Sequence, residues 1–153
     1  MLKSILSPAT CAKCQNCCVF EEQSVWELPT FSEAAAKRTD MKMTQIGEKY
    51  RIQLPKGKGA QPCPFLNPAS GCTLPPEEKP FACSIWPLRV MKDEQGNRFL
   101  TLYQGCDGMP DSKIPALMQL LENGLKARIL AEINKDEGMI LPLHPKYRIF
   151  EKL

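Results

Sequence analysis

C-A-K-C-Q-N-C-C, residues 11–18, places Cys11, Cys14, Cys17 and Cys18 within eight positions. Thiols at that density answer to a soft metal, because several thiolates must converge before the cost of holding them deprotonated is recovered. Metal binding is therefore the first expectation, and the rest of the chain is expected to wrap around it. Laid on a helix at about 100° per residue, Cys11, Cys14 and Cys18 fall within about 60° of one another. Cys17 trails Cys14 by about 60° and stands about 100° from Cys18. On that geometry the adjacent pair serves two metal atoms better than one, and a multinuclear cluster or two neighbouring sites follows. In a loop the angular reading would lapse and only the crowding of sulfur would remain.

A second set, Cys63, Cys72, Cys83 and Cys106, is scattered, and prolines at 62, 64, 68, 75, 76, 80 and 87 accompany it. Each proline removes a backbone donor and fixes a torsion, so the stretch reads as irregular loops. A long structureless run inside a compact domain needs something to organise it, and a metal centre would do so. Leu88–Lys92 and Arg98–Tyr103 flank Asp93-Glu94-Gln95-Gly96-Asn97 and predict a hairpin that carries Cys106 back toward Cys83.

The chain of 153 residues fits one domain, 1–153, large enough to bury a core without covalent staples. Cysteine density is below that of a small disulfide scaffold, and M-L-K-S-I-L-S-P lacks the apolar run of a secretory signal. A reducing, cytoplasmic location is expected. No stretch reaches the roughly 18 apolar residues of a membrane span, so no membrane partner is expected. The formal charge of +3 is spread along the chain and argues for no nucleic-acid partner.

Between the cysteine groups, Thr30-Phe31-Ser32-Glu33 has the form of a capping box opening a short helix, and Tyr50–Leu54 alternates as a strand. Pro55-Lys56-Gly57-Lys58-Gly59 is read as a solvated turn; it lacks the Ser or Thr of a phosphate loop. Residues 112–134 predict one helix with Ile114, Leu117, Leu121, Leu125 and Ile129 facing the core and Pro115 in its first turn. The tail 138–153 is expected to be extended and packed on the surface. The fold class expected is α+β: a small domain of irregular metal-binding loops, a short hairpin and a few helices.

C-A-K-C-Q-N-C-C, then Pro62-Cys63-Pro64-Phe65-Leu66, Gly71-Cys72-Thr73-Leu74 and Lys79-Pro80-Phe81-Ala82-Cys83-Ser84-Ile85-Trp86-Pro87-Leu88, together resemble the CxxCxxCC, or YkgJ-type, cysteine-cluster family. The four blocks stand in the family's order across residues 11–106. The resemblance implies a zinc- or iron-chelating domain of the kind often labelled an iron–sulfur protein, related to a domain of flagellin lysine methylases. It carries over Cys11, Cys14, Cys17, Cys18, Cys63, Cys72 and Cys83 as ligands, with Cys106 of Gly-Cys-Asp-Gly added. The chain departs from the family at Lys79, often Arg there, at Ser84, often basic, and at Trp86, commonly Phe or Tyr; none of these alters a thiol.

Eight thiolates suit one or two iron–sulfur clusters, 4Fe-4S first among them, in a redox or electron-transfer role with a partner protein or enzyme. The alternative is a zinc-binding structural module with two tetrahedral sites, and a third is a cluster-dependent or methyltransferase-associated enzyme. His144, the sole histidine, is read as a surface or core residue, which leaves no pair for conventional acid–base hydrolysis. Asp107, Asp111 and Arg89 are candidates for tuning a centre from behind its ligands, with solvated surface as the other reading. Trp86 is expected to pack over the site and keep water away.

Overall fold

In the computed structural model, which describes residues 2–153, the chain forms an α+β domain with two apolar cores. The helices are α1 (Pro8–Cys14), α2 (Glu33–Ala36), α3 (Phe81–Ser84), α4 (Ile114–Leu120) and α5 (Lys126–Lys135). The strands are β1 (Val19–Phe20), β2 (Thr30–Phe31), β3 (Met43–Ile46), β4 (Lys49–Ile52), β5 (Gln61–Pro62), β6 (Leu66–Asn67), β7 (Gly71–Cys72), β8 (Leu88–Lys92), β9 (Arg98–Tyr103), β10 (Leu141–Pro142) and β11 (Tyr147–Lys152). No helix among the described residues is long and apolar enough to cross a membrane.

The expected hairpin is present as β8 and β9, paired antiparallel from Leu88↔Leu102 to Lys92↔Arg98. Its turn is closed by Asp93, which accepts from both the backbone and the side-chain nitrogen of Asn97 at 2.8 Å. The tail is extended along the surface, as expected, and supplies both edges of the main sheet. β10 joins β8 in parallel and β11 joins β9 antiparallel, completing a sheet of order β10-β8-β9-β11. Tyr147, 4 % exposed, anchors that last strand.

Strand residues point alternately to opposite faces. Leu88, Val90, Leu100 and Leu102 meet Leu117, Leu121, Leu125, Ile129 and Ile133 from the helical segment, and this is the larger core. Arg89, Met91, Thr101 and Tyr103 stand on the alternate positions, and Arg89 is paired across the ladder with Thr101. The sheet therefore has an apolar face toward the helices and a mixed face on the other side.

The helix expected over 112–134 is divided. A wide π-type turn, Leu121–Leu125, separates α4 from α5, with Gly124 at φ +106°. The cause lies in the spacing: core residues recur four apart from Leu117 to Ile133, and on a regular helix each such step drifts about 40°. One wide turn restores the stripe, and glycine supplies the left-handed residue it requires.

The smaller core gathers Phe31, Ala35, Ile52, Phe65 and Leu74 around the sheet β2-β4-β3. The capping box is displaced here. Thr30 and Phe31 are strand residues, and Ser32 is the N-cap of α2, its hydroxyl accepting from Ala35 N at 3.2 Å. Phe31 belongs to this core, so its burial commits the segment to extended backbone up to Ser32. The 55–59 turn is exposed, with Gly57 and Gly59 both at φ +69°, as expected of a solvated loop.

Candidate metal centre

Helix α1 begins at Pro8 behind the N-cap Ser7, and it ends at Cys14 because Gln15 turns left-handed, φ +54°. Cys11 and Cys14 therefore share a helix, one turn apart, while Cys17 and Cys18 belong to a separate 3-10 turn, Asn16–Cys18. The helical projection of the whole run does not hold. The two sulfurs it sent in different directions lie 3.8 Å apart. Two ligands on one tetrahedral ion with bonds of about 2.3 Å are separated by about 3.8 Å. The adjacent pair thus suits a shared metal atom, which corrects the two-direction reading.

Short pairings bring the second set to this turn. β1, directly after Cys18, pairs with β5, directly before Cys63, and Cys63 N donates to Cys18 O at 2.7 Å. Pairing of β6 with β7 sets Leu66 opposite Cys72, and Thr73 N closes the loop onto Phe65 O at 2.8 Å. Gly71 lies against α1, where a Cβ would meet that of Ala12 at 3.9 Å, an ordinary contact. Cys83 sits in α3, its amide donating to Pro80 O at 2.9 Å.

Cys17, Cys18, Cys63, Cys72 and Cys83 consequently line one cavity of about 280 Å³. Phe31, Phe65 and Leu74 of the smaller core wall one side, and Trp86, Arg89 and Tyr103 of the sheet region wall the other. The sulfurs occupy the seam between the two cores. Cys11 borders an adjoining hollow that also touches Cys83 and Lys79. Cys106 packs against the larger core, and the thiols acting most on it are Cys14 and Cys17. The hairpin thus returns Cys106 to the first cysteine group, where Asn16 Nδ2 donates to Gly105 O at 3.1 Å.

All eight cysteines are free thiols. Among the described residues, no three histidine, cysteine, aspartate or glutamate side chains converge on a point that would hold a single ion. Protonation follows the surroundings. The Cys18 thiol, and then burial, hold Cys17 far above the usual thiol range. Burial pushes Cys63 up to about 12 and Cys83 up to about 11. Cys11 and Cys106 are also raised, in each case chiefly by burial. The charges opposing this are basic: Arg89 and Lys79 lower both Cys17 and Cys83.

Of the residues considered as tuning groups, Asp111 is solvated and pairs with Arg148 at 3.2 Å with 90 % of its side chain exposed. Asp107 is exposed as well. Arg89 is the opposite case, 6 % exposed on the cavity wall with its guanidinium 4.7 Å from the centre of the Trp86 ring. Trp86 lines the cavity, its ring tilted against Tyr103 with centres 5.0 Å apart. His144 lies off the cavity against Trp26, ring centres 4.8 Å apart, and its Nδ1 accepts from Lys146 N at 3.2 Å.

Sequence reasoning missed the cavity's far end, where Ser24, Glu27 and Lys146 meet. Lys146 donates to Ser24 Oγ at 3.1 Å and stands 3.7 Å from Glu27 Oε1. No motif marks these residues; only the folded path of the tail brings Lys146 there. No family model, curated protein or solved structure matches the chain.

Proposed function

We propose that this chain is a metal-thiolate protein whose cysteine cavity holds an iron–sulfur cluster and that it serves redox chemistry, passing electrons or assisting a partner enzyme. The observation that carries the reading is the convergence of five thiols, from the segments around residues 17–18, 63, 72 and 83, on one cavity between two cores. Buried free thiols gain little by such gathering, since packing alone favours no particular meeting of sulfurs. A metal rewards it, because each ligand adds to the same bond set.

The donor set fits the group. All-thiolate ligation is what iron–sulfur clusters take, and a cluster spreads its sulfurs over a body several atoms wide, as a cavity wall does. Cys17, Cys18, Cys63, Cys72 and Cys83 would hold it, with Cys11, Cys14 and Cys106 completing the wider ligand set. A bound cluster would supply one-electron chemistry. The chain's own part is to exclude water with Trp86, Phe31 and Phe65, and to set positive charge against the sulfurs through Arg89 and Lys79. The resemblance to cysteine-cluster proteins in residues 11–106 agrees with this reading.

The 3.8 Å separation of Cys17 and Cys18 favours a second reading, a zinc ion taking both sulfurs as a structural cross-link. Anaerobic purification followed by iron, zinc and acid-labile sulfide determination separates the two. Brown protein with matching iron and sulfide supports the cluster; colourless protein with stoichiometric zinc supports the cross-link.

A further inference from the structure

Arg89 is a cation buried where no carboxylate answers it. The residue is 6 % exposed, and none of the ion pairs among the described residues includes it. Nη1 is committed to the backbone: it donates to Leu88 O at 3.1 Å and to Ala82 O, the carbonyl just before Cys83. Nε and Nη2 meet no protein acceptor among the described residues. Arg89 Cζ lies over the Trp86 ring, 4.7 Å from the ring centre. A desolvated cation left without a counter-ion is strongly disfavoured, so a buried arginine is found paired.

The cavity itself offers the missing charge. Four thiolates around Zn²⁺, or around the 2+ core of a 4Fe-4S cluster, carry a net charge of −2. Arg89 and Lys79 are the two positive groups acting on both Cys17 and Cys83. Lys79, Arg89 and Lys146 against Glu21 and Glu27 give the cavity wall one net positive charge, so a centre of −2 leaves the loaded site close to neutral.

We propose that Arg89 is the built-in counter-charge of the thiolate centre, a positioning residue that shares the cavity wall with the five cysteines and sets how firmly the centre is held and how easily it takes an electron. This role rests on the proposed metal-thiolate reading but not on the choice between iron and zinc. Reduction adds negative charge to a cluster, so a fixed cation favours the reduced form. Its loss disfavours reduction whatever else changes.

The test uses full-length protein with Arg89→Gln and Arg89→Lys, each first shown to keep the wild-type circular dichroism. Zinc is the common probe, titrated into metal-free protein against a chelating dye. Where the purified protein contains iron, a redox titration follows. Arg89→Gln should bind zinc about tenfold more weakly and, in the iron form, show about a tenfold lower ratio of reduced to oxidised centre at fixed potential, which is about 59 mV for one electron. Arg89→Lys, which restores charge without the planar fork, should recover most of both losses. Equal affinity and potential in wild type and Arg89→Gln would overturn the role of Arg89 while leaving the centre intact. A wild-type protein that takes up no metal would overturn the centre and the role together. Should Arg89→Gln fail to fold, Arg89→Lys decides alone: because its ammonium keeps the charge, zinc affinity near wild type is expected, and a loss of about tenfold or more would overturn a role by charge.

Discussion

The adjacent cysteines carry the sharpest consequence at the scale of single residues. With their sulfurs 3.8 Å apart, Cys17 and Cys18 reach one place in the proposed centre, so Cys17→Ser and Cys18→Ser should each release that centre, and the double variant should lose nothing more. Metal content by mass spectrometry under non-denaturing conditions reads this directly; two variants that each keep a different metal would contradict it. Protons are the second readout. Cys63 and Cys83, pushed up to about 12 and about 11 by burial, are neutral thiols at pH 7 in the metal-free protein. Zinc binding must therefore expel about one proton per ligand, and affinity should rise steeply with pH through the neutral range. Calorimetric zinc titration in buffers of different ionisation enthalpy measures the number released. The same raised values give the metal-free fold stability that is full below the ordinary thiol value of 9.0 and lost as pH climbs toward about 11 to 12. The cysteine blocks were legible in the sequence because cysteine spacing is a local property. Their pairing was not, because the break at Gln15 depends on one left-handed residue that the projection assumed to be helical.

Among elements, the turn that returns the chain after β9 is the most constrained. Gly105 lies beneath the Tyr103 ring, where a Cβ would stand 2.7 Å from the hydroxyl oxygen and 2.8 Å from two ring carbons. That ring cannot swing aside freely, since Trp86 and Tyr147 hold it at 5.0 and 5.4 Å. Gly105→Ala should therefore cost about 1–3 kcal/mol in urea unfolding and loosen the cavity wall that Tyr103 forms. An unchanged midpoint would contradict the packing described. The β8–β9 hairpin was readable from its alternation and its Asp-to-Asn turn. The division of the long helix was not, although its cause is present in the sequence: apolar residues strictly four apart together with Gly124. Likewise the tail 138–153 has too little periodicity to announce β10 and β11, whose partners β8 and β9 lie some forty to fifty residues back.

Across the whole molecule, the two cores differ in what they need. The larger one, helices on sheet, closes without any cysteine from the cavity, whereas the loops over residues 61–87 are held mainly by pairings of two residues each. Removing the metal should leave amide protection in β8, β9 and α5 and abolish it in β5, β6, β7 and α3, as read by hydrogen exchange of loaded and stripped protein. Equal protection of both regions after stripping would mean that the loops stand without a metal. The α+β class was legible in the sequence, in its helical stripe over 112–134 and the alternation of its hairpin strands. The seam between two cores, and the buried arginine facing it, needed the folded chain.

The central claim is that sulfurs from distant segments hold an iron–sulfur centre, and one measurement addresses it most directly: iron, zinc and acid-labile sulfide per chain in protein purified without exposure to air. The account predicts iron and sulfide in equal amounts, lost together when cavity cysteines are replaced by serine. Fully folded protein with neither iron nor sulfide, and with all eight thiols open to alkylation, would contradict it.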